Sequence, residues 1–414
     1  MKKSSYNYTY TRDNRSYLLL NTFTGAIAVL DPQEYEQFQN MNLSEEQLKS
    51  YKEAGFIIED GVDEFEIMKF DNNFNKTAMP SRYRILTTTG CNANCAYCYE
   101  VREKVCTLNA DTAKRIVDFI EKTNNGDKNV SIEWFGGEPL VNFKAIVSIS
   151  DLLISQGYTI KSTMVSNGLL MTESMLDYLI EKDHLEKIQI TVDGVEEKYE
   201  SIKQVPKGSF KALMQKMVMI ADKGVSIQVR MNYKDNEEDL AELINYFAKE
   251  IGFHHRILYY IYPIFDAVMM VPEETMDGVI RLNDLLVSTG LMHKEEMYRF
   301  TYRLTRCFAS NYNGYTIYPD GRLFNCSHVM NDKGFVGNID SFSPYNPKRL
   351  EFVNDEISDE CRKCILYPNC KGGCRASELK LADLNQCILY KSCLDKVLDK
   401  ILSYNTSDEG GATT

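Results

Sequence analysis

The chain has 414 residues, 44% hydrophobic and 26% charged, the balance of a globular protein large enough for two or three domains. Lys and Arg number 47 against 59 Asp and Glu, and the net charge of −12 argues against a nucleic-acid or anionic-membrane partner, since both would repel it. Apolar runs such as 17–20 and 257–264 fall far short of the ~20 residues of a membrane span. The start, Met-Lys-Lys-Ser-Ser-Tyr, lacks the apolar core of a signal peptide, so a cytoplasmic protein is expected. There a disulfide framework has no use, and the twelve cysteines read as metal or redox sites. They are bunched: Cys91, Cys95 and Cys98 lie within eight residues, eight more lie from Cys307 onward, and none lies between Cys106 and Cys307.

Residues 1–70 read as a separate small unit. Strand-like runs at 17–21 and 25–30 are joined by Thr-Phe-Thr, and a helix follows near 32–39. A second helix opens at Ser44, with Gln47 completing a capping box, and closes near Gly55; 56–59 is a further strand. This order has the size of a winged helix. The polar stretch 71–80 reads as a linker. Over 81–300, six short runs rich in β-branched or aromatic residues (82–88, 130–134, 159–165, 187–192, 225–232 and 256–262) alternate with stretches of helical period. Ile116, Val117, Phe119 and Ile120 form one such stretch, and Leu213, Met217 and Ile220 another. Strands with helical crossovers give a parallel α/β unit, either an open doubly wound sheet or a partial barrel, and periodicity does not choose between them. Over 301–403 cysteine density rises, turn signals such as Pro319-Asp320-Gly321 and Lys371-Gly372-Gly373 appear, and the long helical pattern is confined to 385–402. Residues 404–414 read as a disordered tail.

Cys91, Cys95 and Cys98 follow directly on the first of the six strands. Cys-x3-Cys-x2-Cys lets one loop turn three thiolates toward one face of a cubic iron–sulfur cluster, and three ligands leave one iron open to a small molecule. A structural zinc wants a fourth ligand; Cys106, eight residues on, is the only nearby candidate. With Tyr97 before the last Cys, the triplet resembles the hallmark of the radical S-adenosylmethionine (radical SAM) enzymes. Residues at later strand ends resemble the same family: Gly136, Gly137, Glu138 and Pro139 after the second strand, Ser166 and Asn167 after the third, Thr191 and Asp193 at the fourth, and Arg230 on the fifth. The resemblance implies a partial (β/α)6 barrel with S-adenosylmethionine on the open iron. It also implies that backbone groups of 136–139 meet the cofactor's amino group, and that the later strand ends meet its ribose and carboxylate. Read from the residues alone, Thr191, Asp193 and Arg230 serve equally well as strand caps or structural pairs. The implied chemistry is reductive cleavage to a 5′-deoxyadenosyl radical, the cofactor carrying the hard step. An electron donor such as flavodoxin or ferredoxin is the implied partner.

Toward the C-terminus Cys307 is followed after thirteen residues by Gly321, and Gly321 after four by Cys326. Then come Cys361-x2-Cys364-x5-Cys370-x3-Cys374 and, after a gap, Cys387. Zinc knuckles also use Cys-x2-Cys. The full order resembles the SPASM domain appended to radical SAM enzymes that modify peptides and proteins. That resemblance implies two auxiliary 4Fe–4S clusters, hence three clusters in all: one on Cys361, Cys364, Cys370 and Cys387, the other on Cys307, Cys326 and Cys374. Relatives whose first auxiliary cluster is fully ligated carry a further Cys shortly before the position of Cys307. Here that stretch reads Arg299-Phe300-Thr301-Tyr302. One iron then lacks a protein ligand unless a distant residue, such as Cys106 or an Asp, completes the set. Cys393 competes with Cys387 as closing ligand, and the segment from Cys387 resembles the family's closing segment better. Otherwise Cys106 and Cys393 read as buried thiols.

The unit over 1–70 resembles the winged-helix-like element with which maturases of ribosomally made peptides pair the precursor's leader as an added strand. The expected function is therefore modification of such a precursor, resembling the thioether-forming ranthipeptide and sactipeptide maturases. An open iron would hold and deprotonate a substrate Cys, whose sulfur is joined to carbon. The alternatives are an oxidising maturase of a protein client, of the sulfatase-activating type, and a carbon–carbon cross-linking peptide maturase. A client-oxidising enzyme would not need the first unit. A non-catalytic iron–sulfur electron carrier would have no use for the cofactor-binding strand ends. No catalytic acid or base is assigned: His184, His254, His255, His293 and His328 show no ligand or dyad spacing, and Asp266 and His328 lie near an expected substrate channel by position alone.

Overall fold

The computed structural model describes residues 1–12, 14–98, 104–264, 271–297, 299–354, 356–382 and 387–408, with side chains described up to 404. Nine strands share one sheet. Six of them, β1 (Arg82–Leu86), β2 (Asn129–Phe135), β3 (Thr159–Val165), β4 (Leu185–Thr191), β5 (Ser226–Tyr233) and β6 (Ile257–Pro263), lie side by side in sequence order and are parallel. Each crossover steps the same way, and right-handed crossovers that all step one way put every connecting helix on one face. A doubly wound sheet needs a reversal of strand order, and these six show none. The arrangement is therefore that of a partial (β/α)6 barrel.

Alternation along the strands divides the two faces. Tyr83 and Ile85, Val130, Ile132 and Trp134, Ile188 and Ile190, and Val229 and Met231 are buried in the main core. The intervening residues, among them Arg84, Glu133, Gln189, Arg230 and Tyr260, point to the helix-free face by the two-residue period of a strand. There Arg84 pairs with Glu133 at 2.6 Å, and the Tyr260 hydroxyl donates to Gln189 at 3.0 Å. That face is polar, and it is the one left for a ligand.

The sheet does not stop where the sequence suggests a boundary, at 300/301. β7 (Gly314–Ile317) joins β1 in parallel, and β8 (Arg322–Phe324) and β9 (Phe335–Asn338) continue it in antiparallel fashion. At the other end, strands Asn7–Thr11, Tyr17–Asn21 and Ile27–Leu30 form an antiparallel sheet, followed by helices Pro32–Gln39 and Glu45–Glu53. The Ser44–Gln47 capping box forms as the sequence suggests. Ile57–Ile58 pairs with Lys2–Lys3.

Two expectations need correction. The supposed linker 71–80 is mostly helix, the C-terminal half of Glu64–Ala78. Two of its polar residues are engaged by other elements: Lys76 is buried and donates to the Val353 carbonyl at 2.8 Å, and Asp71 accepts from the Tyr302 hydroxyl at 2.7 Å. The last helix is Leu394–Asp408 rather than 385–402, preceded by a tight turn at Leu389–Ser392. Residues 404–408 of the expected tail are thus helical, while 383–386 and 409–414 lie outside the described residues. No helix among the described residues is long and apolar enough to cross a membrane.

Candidate active site

β1 runs out through Thr87–Gly90 into the cysteine loop, and two glycines hold that exit. Gly136 has φ +131°, and a Cβ on it would meet the Thr88 carbonyl oxygen at 2.2 Å; a Cβ on Gly137 would meet Thr89 and Gly90 carbonyl oxygens at 2.5 Å. The backbones touch because Gly137 N–H donates to Thr88 O and Glu138 N–H to Gly90 O, both at 3.0 Å. With those N–H groups committed, the glycine pair has carbonyl oxygens to offer a ligand's ammonium group. Glu138 turns inward, fully buried, and accepts from Leu140 N–H at 3.0 Å, the Ser166 hydroxyl at 2.8 Å and Asn167 N–H at 2.7 Å. Burial outweighs these bonds and pushes its pKa up to about 7. Glu138 thus ties the end of β2 to the end of β3. Pro139 is buried and begins the turn Pro139–Asn142, its carbonyl accepting from Thr87 Oγ1 at 2.9 Å. Asn167 reaches back to the cysteine loop, donating to Asn92 Oδ1 at 2.8 Å and toward Cys91 Sγ at 3.8 Å.

The far side of the loop rests on β4 and the helix after it. Asp193 is buried; it accepts from Asn232 N–H at 2.9 Å, pairs with Lys203 at 3.0 Å and hydrogen-bonds the Tyr97 hydroxyl. Both carboxylate oxygens are therefore engaged within the chain. Thr191 closes β4 opposite Arg230 of β5. Arg230 donates to Asn232 Oδ1 at 2.8 Å, and its guanidinium lies over the Tyr262 ring, 4.0 Å from its centre. Across the same face Arg84 donates to Ser327 Oγ at 2.6 Å, which brings the segment around Cys326 to the barrel. His328 is open to solvent yet crowded by protein; that crowding, with Arg84 and Arg230 nearby, pushes its pKa down to about 4. Asp266 lies outside the described residues.

The cysteines group in space as well as in sequence. Cys95 interacts with Cys98; Cys326 with Cys307 and Cys374; Cys370 with Cys387; and Lys391 feels Cys387, Cys364 and Cys361 together. Cys106 faces Asp320 and Arg322, and buried Cys393 sits near Lys396 and Asp277. Among the described residues no three His, Cys, Asp or Glu side chains converge as ligands of a single ion do. The fit to an iron–sulfur cluster is therefore judged on donor chemistry. Several sulfur atoms accept N–H bonds: Ala93 N–H to Cys91 and His328 N–H to Cys326, both at 3.4 Å, and the Lys391 ammonium to Cys387 at 3.5 Å. Backbone groups of Ser377 and Ala376 serve Cys374, and those of Ile388 and Gly372 serve Cys370. Burial meanwhile pushes the Cys326 thiol up to about 11, so a metal is what would hold it as thiolate at neutral pH. Such a donor set fits thiolate ligands of a cluster.

Sequence reasoning missed Lys203, which closes the charged helix Glu196–Lys203 and reads as a solvated side chain. It also missed the polar inner face. Glu133 between apolar Ile132 and Trp134 was the available signal, because in a strand it must point away from both.

The radical SAM superfamily profile matches residues 85–247, the span from β1 to the helix after β5. Over 96% of this chain and 95% of the relative, the chain is 23% identical to the radical SAM cyclopropyl synthase TigE of Paramaledivibacter caminithermalis. It is 21% identical to a cysteine-type anaerobic sulfatase-maturating enzyme of Clostridium perfringens, over 70% of this chain and 86% of that one. In fold it is similar to Streptococcus suis SuiB bound to S-adenosylmethionine, with TM-score 0.50 and 15% identity over 95% of this chain and 99% of the other. A parallel sheet in sequence order, with a Cys-x3-Cys-x2-Cys loop at the end of its first strand, is thus found in an enzyme that carries a radical SAM domain over residues 85–247 and is related to TigE and to the sulfatase-maturating enzyme.

Proposed function

We propose that this enzyme modifies a ribosomally made precursor peptide in the cytoplasm by joining a Cys sulfur to carbon. In this reading Cys91, Cys95 and Cys98 hold the radical SAM cluster, and Cys361, Cys364, Cys370 and Cys387 hold an auxiliary cluster. Cys307, Cys326 and Cys374 hold another with one iron free of protein ligands. The clusters with S-adenosylmethionine supply a 5′-deoxyadenosyl radical and take up electrons. The residues around them do the rest: carbonyl oxygens of Gly136 and Gly137 receive the cofactor's ammonium group, Glu138 holds Ser166 and Asn167 in place, and Thr191 and Arg230 flank the cofactor. A flavodoxin or ferredoxin supplies the electron. The observation that carries the reading is the placement of Cys326 beside the polar barrel face, through Ser327 and Arg84. In fold the chain is similar to SuiB over 95% of its length at TM-score 0.50 and to anSMEcpe over 79% at TM-score 0.59, so only the greater extent of the first likeness, which takes in more of the chain, supports the peptide-maturase reading.

Similarity to TigE along nearly the full length of both chains favours a second reading, carbon–carbon bond formation in a peptide. Alkylation of the product separates the two. A thioether gives a product lighter by two hydrogens whose Cys no longer reacts with iodoacetamide, whereas a carbon–carbon product leaves the thiol reactive. The cluster assignment is checked by iron analysis: roughly 12 irons in the reconstituted chain, and about 8 with no cofactor cleavage after Cys91, Cys95 and Cys98 are replaced by Ala. Zinc in their place after anaerobic purification would sink it.

A further inference from the structure

Cys307, Cys326 and Cys374 come from three separate stretches of chain, and two arginines gather their neighbours. Arg306, its side chain 2% exposed, precedes Cys307 and donates to the Lys371 and Gly372 carbonyls, both at 2.9 Å, in the turn that leads to Cys374. A Cβ on Gly372 would meet that guanidinium at 2.1 Å, so the contact needs a glycine. Arg84 serves the other two stretches. It donates to Oγ of Ser327, the residue after Cys326, at 2.6 Å. Its guanidinium also lies 5.3 Å from the ring centre of Phe308, the residue after Cys307.

Arg84 belongs to the barrel and not to the cysteine segments. It stands in the middle of β1, the strand that runs out into the loop of Cys91, Cys95 and Cys98. Glu133 of β2 accepts from its Nε and Nη2 at 2.6 Å, and the Phe135 ring centre lies 5.1 Å from the guanidinium. A guanidinium is planar with donors at fixed angles, so binding at three nitrogens sets direction as well as distance. One strand is thus the reference for both groups of cysteines. Backbone pairing cannot do the same. β7 and β8 extend the sheet from β1, but Cys326 lies two residues past the end of β8 and Cys307 seven before the start of β7. The ladder fixes the strands, and side chains must place the loops beyond them.

We infer that Arg84 is a positioning residue that sets where the cluster on Cys307, Cys326 and Cys374 stands over the barrel, and so how often a radical made at the first cluster is carried through to a cross-link. The inference deepens the proposed function and rests on its assignment of the cysteines. Misplacement by about 1 Å can cost on the order of a hundredfold in a bond-forming step. In this reading the cofactor is cleaved at the first cluster, away from the Arg84 contacts. The quantity that reports placement is therefore cross-linked product formed per 5′-deoxyadenosine released.

Two measurements on the iron-loaded full chain test this. Ser327→Ala removes one Arg84 contact and alters no cysteine and no strand. Without cofactor, hydrogen exchange is read at His328 and Val329, whose N–H groups bond Cys326 Sγ at 3.4 Å and Cys326 O at 3.1 Å. It should quicken several-fold in Ser327→Ala and in Arg84→Gln, while 314–317 stays as in the wild type. With cofactor and precursor, product per 5′-deoxyadenosine should fall roughly tenfold in each variant. The Arg84→Gln/Ser327→Ala protein should lose no more than Arg84→Gln alone, because the two residues act through one bond. Should Arg84→Gln lose iron, Ser327→Ala decides by itself. An unchanged ratio or unchanged exchange in Ser327→Ala overturns the inference, as do losses that multiply in the double variant. Loss of iron from Ser327→Ala also overturns it, since the contact would then serve cluster assembly. A wild-type chain that cleaves the cofactor and forms no cross-link overturns the proposed function, and the inference with it, before any variant is made.

Discussion

Glu138 shows how much of this site is held by a single side chain. Its carboxylate is buried with three donors around it and a pKa pushed up to about 7 from an ordinary 4.5. A carboxyl group whose folded-state pKa is raised binds its proton more tightly in the folded chain. Its contribution to stability is complete below about pH 4.5 and is lost as pH rises through about 7. Asp183, buried and accepting from the Trp134 indole at 2.9 Å, is pushed up to about 6 and acts with the same sign. Replacing Glu138 by Gln should therefore flatten the fall in stability between these pH values, by an amount on the order of 3 kcal/mol at full weight. It should also lower stability above pH 7, since one donor loses its acceptor. Urea unfolding of both proteins across that range checks this, and parallel curves would refute it. At this scale the sequence was legible where spacing is forced: cysteines close in sequence also group in space, and glycines stand where two backbones touch. Lys203 was not legible, because its neighbours in Glu-Glu-Lys-Tyr-Glu-Ser-Ile-Lys are those of a solvated helix, and only the arrival of Asp193 from another strand gives it a partner.

Among the elements, the last helix, Leu394–Asp408, clamps two parts of the chain. Its polar residues reach the N-terminal sheet, with Tyr8 donating to Asp395 at 2.6 Å and Arg12 forming a two-pronged pair with Asp399 at 2.6 and 2.8 Å. They also reach the helix Glu273–Ser288, where Lys396 meets Asp277 at 2.5 Å and Lys400 meets Asp284 at 2.6 Å. Its apolar residues Val397, Leu398 and Leu402 are buried in the main core. The two kinds of contact differ in strength. Arg12 and Asp399 are 51% and 30% exposed, so Arg12→Ala, which leaves the Tyr10 hydroxyl its bond to Asp399, should cost about 1 kcal/mol or less. Leu398→Ala empties a fully buried site and should cost about 2–5 kcal/mol. Denaturant midpoints of the two variants rank these contacts, and an equal loss would mean the ion pair matters more than its exposure allows. The six barrel strands were legible as elements because each buries alternate apolar residues under a helix. Strand Asn7–Thr11 was not: every residue of Asn-Tyr-Thr-Tyr-Thr is half-buried, and its tyrosines answer to a helix almost four hundred residues away.

The whole molecule explains why the first unit cannot be treated as a detachable module. Leu18 and Leu20 belong to the same core as the barrel, Thr22 and Asn369 are joined by a hydrogen bond at 3.0 Å, and the helix Glu64–Ala78 spans the supposed cut at residue 70. Removing 1–70 would open that core, so any loss of turnover would say nothing about precursor recognition. The strand edge offers a cleaner test. Ile27–Leu30 is the outer strand of its sheet, paired on one side with Tyr17–Asn21. Asn21 N–H donates to the Ala26 carbonyl at 2.9 Å, and antiparallel pairs alternate, so Ala28 faces its partner while Ile27 and Val29 turn N–H and C=O outward. Their side chains are also 39% and 42% exposed. A leader adding itself as a fourth strand would take those groups. Val29→Pro removes one outward donor and leaves the inner ladder whole, so the protein should keep its stability and bind the precursor roughly tenfold more weakly, about 1.4 kcal/mol. Ala28→Pro should do the reverse, breaking an inner bond and lowering stability. Calorimetric titration of the full chain with precursor peptide decides the matter: unchanged affinity in the Val29→Pro protein would remove the edge as the leader's docking site.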